Sequence, residues 1–179
     1  MDRMIFWVLG FVFLVALLAL GIKFYTEAQG SLKETTAITT INEIVAGTEE
    51  LYTGQPDYTG VTNKLLIDAG KISASDVKST DEIKNPWGGE IIVTSDDTAA
   101  HPGASNPTAS FFDVEILGIP KAACTELAAA FSTGNLQGEN IDGTQIDSVA
   151  NGGTRVTPGT ADTDCSADGN GNYISFAFN

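Results

Sequence analysis

The chain has 179 residues, 42% of them hydrophobic, and a formal charge of −14 from 23 acidic and 9 basic residues. That balance excludes a nucleic-acid binder, whose phosphates need a basic footprint, and it excludes docking on an anionic membrane surface. What remains after an apolar N-terminal run suffices for one domain with a core of its own.

From Met4 to Ile22 the chain carries no charged residue and is preceded by Asp2-Arg3. At ~1.5 Å per residue, a helix of that length matches the ~30 Å thickness of a bilayer core. A cleaved secretory signal is excluded. The n-region is minimal, the apolar run is long, and no small-x-small cleavage site follows. Beyond Ile22 the apolar positions Phe24, Tyr25, Ala28, Leu32, Ile38, Ile41, Val45, Thr48 and Tyr52 step mostly by three or four residues, the spacing of an amphipathic helix. The pattern predicts one nearly continuous helix from Met4 to Tyr52, apolar all round in its first half. Gly10, Gly21, Gly30 and Gly47 lie within it as places where it can bend. Thr53-Gly54-Gln55-Pro56 ends it.

A short helix is expected over Thr62–Gly70. Ser73-Ala74-Ser75-Asp76 signals the cap of a further turn or two, and Asn85-Pro86-Trp87-Gly88-Gly89 is a turn by composition. Strands are predicted at Glu90–Thr94 and Ser110–Leu117, where β-branched and aromatic residues concentrate, with a loop over Asp96–Thr108 between them. Pro120–Phe131 reads as a helix with proline at its start. Residues 132–172 are rich in Gly, Asn, Asp and Thr. Within them Gln145–Val149 and Gly153–Val156 are weak strand candidates, and Tyr173–Phe178 is a closing strand. The fold class is therefore α+β: a long helix packed on an antiparallel sheet.

The chemistry-bearing residues are sparse. Cys124 and Cys165 would pair in an exported domain, closing a loop worth roughly 4 kcal/mol, with two buried free thiols as the alternative. With one histidine, His101, and no cysteine–histidine cluster, no metal site is expected. Asp168-Gly169-Asn170-Gly171-Asn172 alternates like the start of a calcium loop. It lacks the glycine at the sixth place and the glutamate at the twelfth, so it reads as a hairpin turn. Asp96-Asp97 near His101, and Asp162 and Asp164 beside Cys165, are the neighbours that acidic loops produce. No catalytic triad, phosphate loop or cofactor fingerprint emerges, so neither catalytic residue nor cofactor is expected. Two readings of the apolar run stay open: a permanent anchor, and a helix that leaves the bilayer to pack on copies of itself. The unbroken amphipathic continuation favours the second, as do Phe6, Trp7, Phe11 and Phe13 beside small Gly10 and Ala16.

Several blocks of the chain resemble the type IVb pilins of the bundle-forming and toxin-coregulated kind. They are Gly21-Ile22-Lys23-Phe24-Tyr25, Leu51-Tyr52-Thr53-Gly54-Gln55 with Tyr58-Thr59-Gly60, and Lys84-Asn85-Pro86-Trp87-Gly88-Gly89-Glu90. Pro120-Lys121-Ala122-Ala123-Cys124 and the distant Cys165 complete the match. The resemblance implies a subunit held in the bacterial inner membrane, processed by a prepilin peptidase and extracted by assembly machinery into an extracellular homo-polymer, with no nucleic-acid partner. It implies a half-helix at 1–25 that serves membrane and filament core, and a head at 26–179. The head comprises 26–53 of the helix, an αβ-loop at 54–90 and a disulfide-bounded region at 124–165. Core packing would fall to Asp2, Arg3, Ile5, Phe6, Trp7, Phe11, Phe13, Leu17, Leu20 and Gly21, and N-terminal modification to Met1. The family's glutamate at the fifth position is replaced by Ile5; Asp2, with Arg3, is expected to make the polar contacts at the helix tip. A minor pilin or pseudopilin, or a membrane-anchored periplasmic binding module, is the alternative.

Overall fold

The computed structural model describes residues 2–96, 110–131, 136–147, 156–167 and 169–179, with the backbone alone described at several positions, among them 2–12 and 19–28. Helix α1 runs Asp2–Leu51, as the periodicity predicts to within two residues at its start and one at its end. Its buried stripe is Ala37, Thr40, Ile41, Ile44, Gly47 and Thr48. Those positions recur every three or four residues, so one side of the helix lies on the head. Four of the expected apolar positions differ. Leu32 is 65% exposed because it precedes the stripe, and Ile38, Val45 and Tyr52 are only half-buried at its margin.

Helix α2 (Asn63–Asp68) falls within the segment expected to be helical, and Thr62 caps it by accepting from the amide of Leu65 at 3.3 Å. At Ser73–Asp76 there is a single turn, closed by the Asp76 amide on the Ser73 carbonyl. Strands β1 (Ile83–Lys84), β2 (Glu90–Asp96) and β3 (Phe111–Ile119) follow, so Asp96 ends a strand rather than opening the loop. The rest of that loop, His101 included, lies outside the described residues. Helix α3 (Lys121–Ala130) uses Pro120 as its N-cap residue. Strand β4 (Leu136–Ile141) was not expected from the sequence, and β5 (Thr144–Asp147) covers the first part of the weak candidate at 145–149. Helix α4 (Pro158–Asp164) is a second addition, with Thr157 capping it and proline in its first turn. Strand β6 (Asn172–Phe178) closes the chain. Of the Gly153–Val156 candidate only Val156 is described; it is buried and belongs to no strand.

The six strands form one antiparallel sheet in the order β1-β2-β3-β6-β4-β5. The chain leaves β3, crosses through α3, and lays β4 two strand positions away; β6 later fills the gap. Register puts Phe112, Val114, Ile116, Ile174, Phe176 and Phe178 on one face with Ile91 and Val93. All are buried, and with Ile41, Ile44 and Leu127 from the helices they make the core. The tight hairpin is β4–β5, turned by Asp142-Gly143, both at positive φ. The glycine-rich stretch near 169 instead joins α4 to β6, so it is not the hairpin its composition suggests.

Candidate assembly surface

Each half of the long helix meets different surroundings. Phe13, Leu14, Val15, Leu17 and Leu18 are 67%, 56%, 49%, 52% and 59% exposed. At about 100° per residue these five span more than half the helix circumference, so no single side of this stretch is turned onto the head. Covering what remains exposed of each is worth roughly 1–2 kcal/mol, a strong combined drive toward a bilayer or toward other apolar helices. Phe13 and Leu17, two of the residues expected to pack in a filament core, are among the exposed five. Asp2, Arg3, Ile5, Phe6, Trp7, Phe11, Leu20 and Gly21 lie on the same helix, with their side chains outside the described set, and Met1 lies outside it altogether. Among the described residues no helix is long and apolar enough to cross a membrane. Most side chains of the run 4–22 are not among them.

Past residue 30 the outward side of α1 turns polar. Exposed Thr35, Thr36 and Thr39, and Thr40 on the buried stripe, each donate a hydroxyl to the carbonyl four residues earlier, at 2.9–3.0 Å. Thr40 also lies 2.8 Å from Asp76 Oδ2, linking the helix to the turn at 73–76. On another side, Glu34 meets Glu126 of α3. Partial burial, with the hydrogen bond and negative charge of Glu126, pushes the Glu34 carboxyl up to about 7.

Three buried asparagines fasten loops to the sheet. Asn63 donates to the Ile91 carbonyl at 2.7 Å and accepts from the Val93 amide at 2.8 Å, so a side-chain amide satisfies the part of β2 that two-residue β1 leaves open. Asn85 accepts from the amides of Trp87 and Gly89 and donates to the Leu117 carbonyl. Asn172 donates to the carbonyls of Ile119 and Ala167 and accepts from the Ala167 amide. Sequence reading found the Asn85 turn by its composition but not the clamp. Asn63 and Asn172 carried no signal, since each is polar where burial is the surprise.

Cys124 and Cys165 are bonded, with Cα atoms 6.0 Å apart and a sequence separation of 41. The bridge ties the first turn of α3 to the end of α4, which excludes the free-thiol alternative. Among the described residues no cluster of three metal-ligating side chains occurs.

A family model described as "PilS N terminal" matches residues 31–179. The major structural subunit of the bundle-forming pilus of Escherichia coli O127:H6 (strain E2348/69 / EPEC) is 30% identical over 175 residues, spanning 91% of this chain and 86% of that one. Its counterpart from Escherichia coli O111:H- is 27% identical with the same coverage. The fold is that of the crystal structure of a type IVb pilin from Salmonella typhi, at TM-score 0.60 and 24% identity, covering 81% of this chain and 99% of that one. It is also that of TcpA, a type IV pilin from Vibrio cholerae El Tor biotype, at TM-score 0.59 and 16% identity, covering 83% and 99%.

Proposed function

We propose, from the premise that this chain belongs to the PilS family of type IVb pilins, that it is the major structural subunit of a type IVb pilus. The supporting observation is the contrast along α1. The side chains of Phe13, Leu14, Val15, Leu17 and Leu18 are exposed over more than half of the helix circumference, while the same helix from Ala37 onward is fixed to a folded head. An apolar surface of that kind is stable only when covered. In an extracellular filament the available cover is the equivalent helix of neighbouring copies. Before assembly, the bacterial inner membrane would serve, with the prepilin peptidase and the assembly machinery acting on the chain there. The role is structural and non-enzymatic.

At the tip of the helix Asp2 is the one carboxylate among residues 1–26 of the sequence. In a filament core it would meet a cationic group of a neighbour, since an unpaired buried charge costs several kcal/mol. Asp2→Ala is expected to cut filament yield sharply while leaving the head folded; wild-type yield would remove Asp2 from assembly.

Electron microscopy of material sheared from producing cells tests the main reading. Thin fibres that contain this chain as their bulk component support it. Recovery solely as a detergent-soluble monomer, from cells competent to assemble pili, overturns it.

A further inference from the structure

Glu139 sits in the middle of β4 and is 2% exposed. Register places it opposite Phe176 of β6 and Ile146 of β5, on the core face shared with Ile141 and Ile174. Helix α3, which also packs on β4, turns Ala123, Cys124, Leu127 and Ala128 inward. Among the described residues the charged group that acts on Glu139 is another acid, Asp164, at the end of α4 and one residue before the disulfide. Its Oε1 is buried without a hydrogen-bond partner. A carboxylate cannot be held there unpaired, because stripping an ion of water costs several kcal/mol and the facing charge has the same sign. Burial first, and Asp164 second, push the Glu139 carboxyl up to about 8.

We propose that the β4–β5 hairpin is an acid-closed latch, docked on β6 while Glu139 carries its proton and released when that proton passes to solvent. Three features make the release local. Strand β5 is a four-residue edge, so the hairpin is anchored to the sheet through β4 alone. The Cys124–Cys165 bond encloses the hairpin in its loop and holds α3 to α4 whether or not β4 is seated. Strand β6 keeps its pairing with β3 throughout. In the open hairpin Glu139 is hydrated and ionises as an ordinary glutamate. The closed form therefore binds more protons, and closure weakens as pH rises. Between about 5 and about 8 the opening constant climbs close to tenfold per pH unit, then levels off. What the opening uncovers is one edge of β6, the strand with five consecutive buried residues.

Hydrogen exchange followed by mass spectrometry on the detergent-solubilised, disulfide-intact full chain tests this. After correction for intrinsic exchange, amides at 136–147 should lose protection about tenfold per unit from pH 6 to 8, while amides of β3 should not. Glu139→Gln should flatten that loss. Asp164→Asn, which keeps Glu139, should end the loss at a lower pH and so keeps the proposal testable if the first variant misfolds. A wild-type protection profile independent of pH, or a loss that persists unchanged in both variants, overturns the latch. Fibre formation is read separately, so failure of the latch leaves the pilin reading intact.

Discussion

Asn85 donates from Nδ2 to the carbonyl oxygen of Leu117 at 2.6 Å, joining a turn before β2 to the end of β3. The β2–β3 pairing ends with Ile91 opposite Ile116, so the Leu117 carbonyl lies beyond that ladder and the asparagine supplies its donor.

Asn85→Ala should therefore orphan that carbonyl together with the amides of Trp87 and Gly89. A loss of roughly 2–4 kcal/mol in urea denaturation is expected, since each unsatisfied buried group costs about 1–3 kcal/mol. Gly89 has the tighter constraint: a β-carbon there would run into the Leu117 carbonyl, which is backbone and cannot swing away. Gly89→Ala should be at least as damaging as Asn85→Ala. An unchanged midpoint for either would show that the clamp is dispensable.

Removing the disulfide as Cys124→Ser with Cys165→Ser should destabilise the head by about 2–5 kcal/mol. The lost constraint encloses β4, β5 and α4, so proteolysis under native conditions should find its first new sites between 124 and 165.

Glu34 gives the stability a pH slope. Its folded carboxyl titrates near 7 and the unfolded one at its ordinary 4.5, so the folded chain holds the extra proton. A folded state that binds more protons loses stability as pH rises, here from about 4.5 to about 7, with no further loss above. Glu34→Gln should remove that contribution. The melting-temperature gap between variant and wild type should widen in favour of the variant across this window. A constant gap would show that Glu34 and Glu126 do not share the proton.

Thr48 is wholly buried on α1 and its hydroxyl oxygen has no hydrogen-bond partner. Thr48→Val removes an unsatisfied polar atom and keeps the shape, so stability should stay level or rise by about 1 kcal/mol. A clear loss would mean that the hydroxyl is satisfied in solution.

Legibility in the sequence followed the strength of local signals. The long helix was readable because its apolar spacing persists past Ile22. Strands β2, β3 and β6 were readable because Ile91, Val93, Phe112, Val114 and Phe176 are β-branched or aromatic. Strand β4 was hidden: Leu-Gln-Gly-Glu-Asn-Ile has poor strand propensity and places a glutamate where the core lies, so tertiary context decides it. Helix α4 was hidden by Gly159 and two threonines, Thr160 and Thr163. In retrospect Thr157-Pro158 was its one local mark, a cap followed by proline. At the assembly surface the apolar run announced itself, whereas the asparagine clamps had no periodic signature and became visible only through their partners.

The strand order has a consequence for biogenesis. Because β6 is made after β3, β4 and β5 but sits between the first two, a nascent head has a vacant central slot until its final strand is translated. Hairpin β4–β5 has no neighbour to join before then. A head made without β6 would stay unclosed, with the facing edges of β3 and β4 left unpaired.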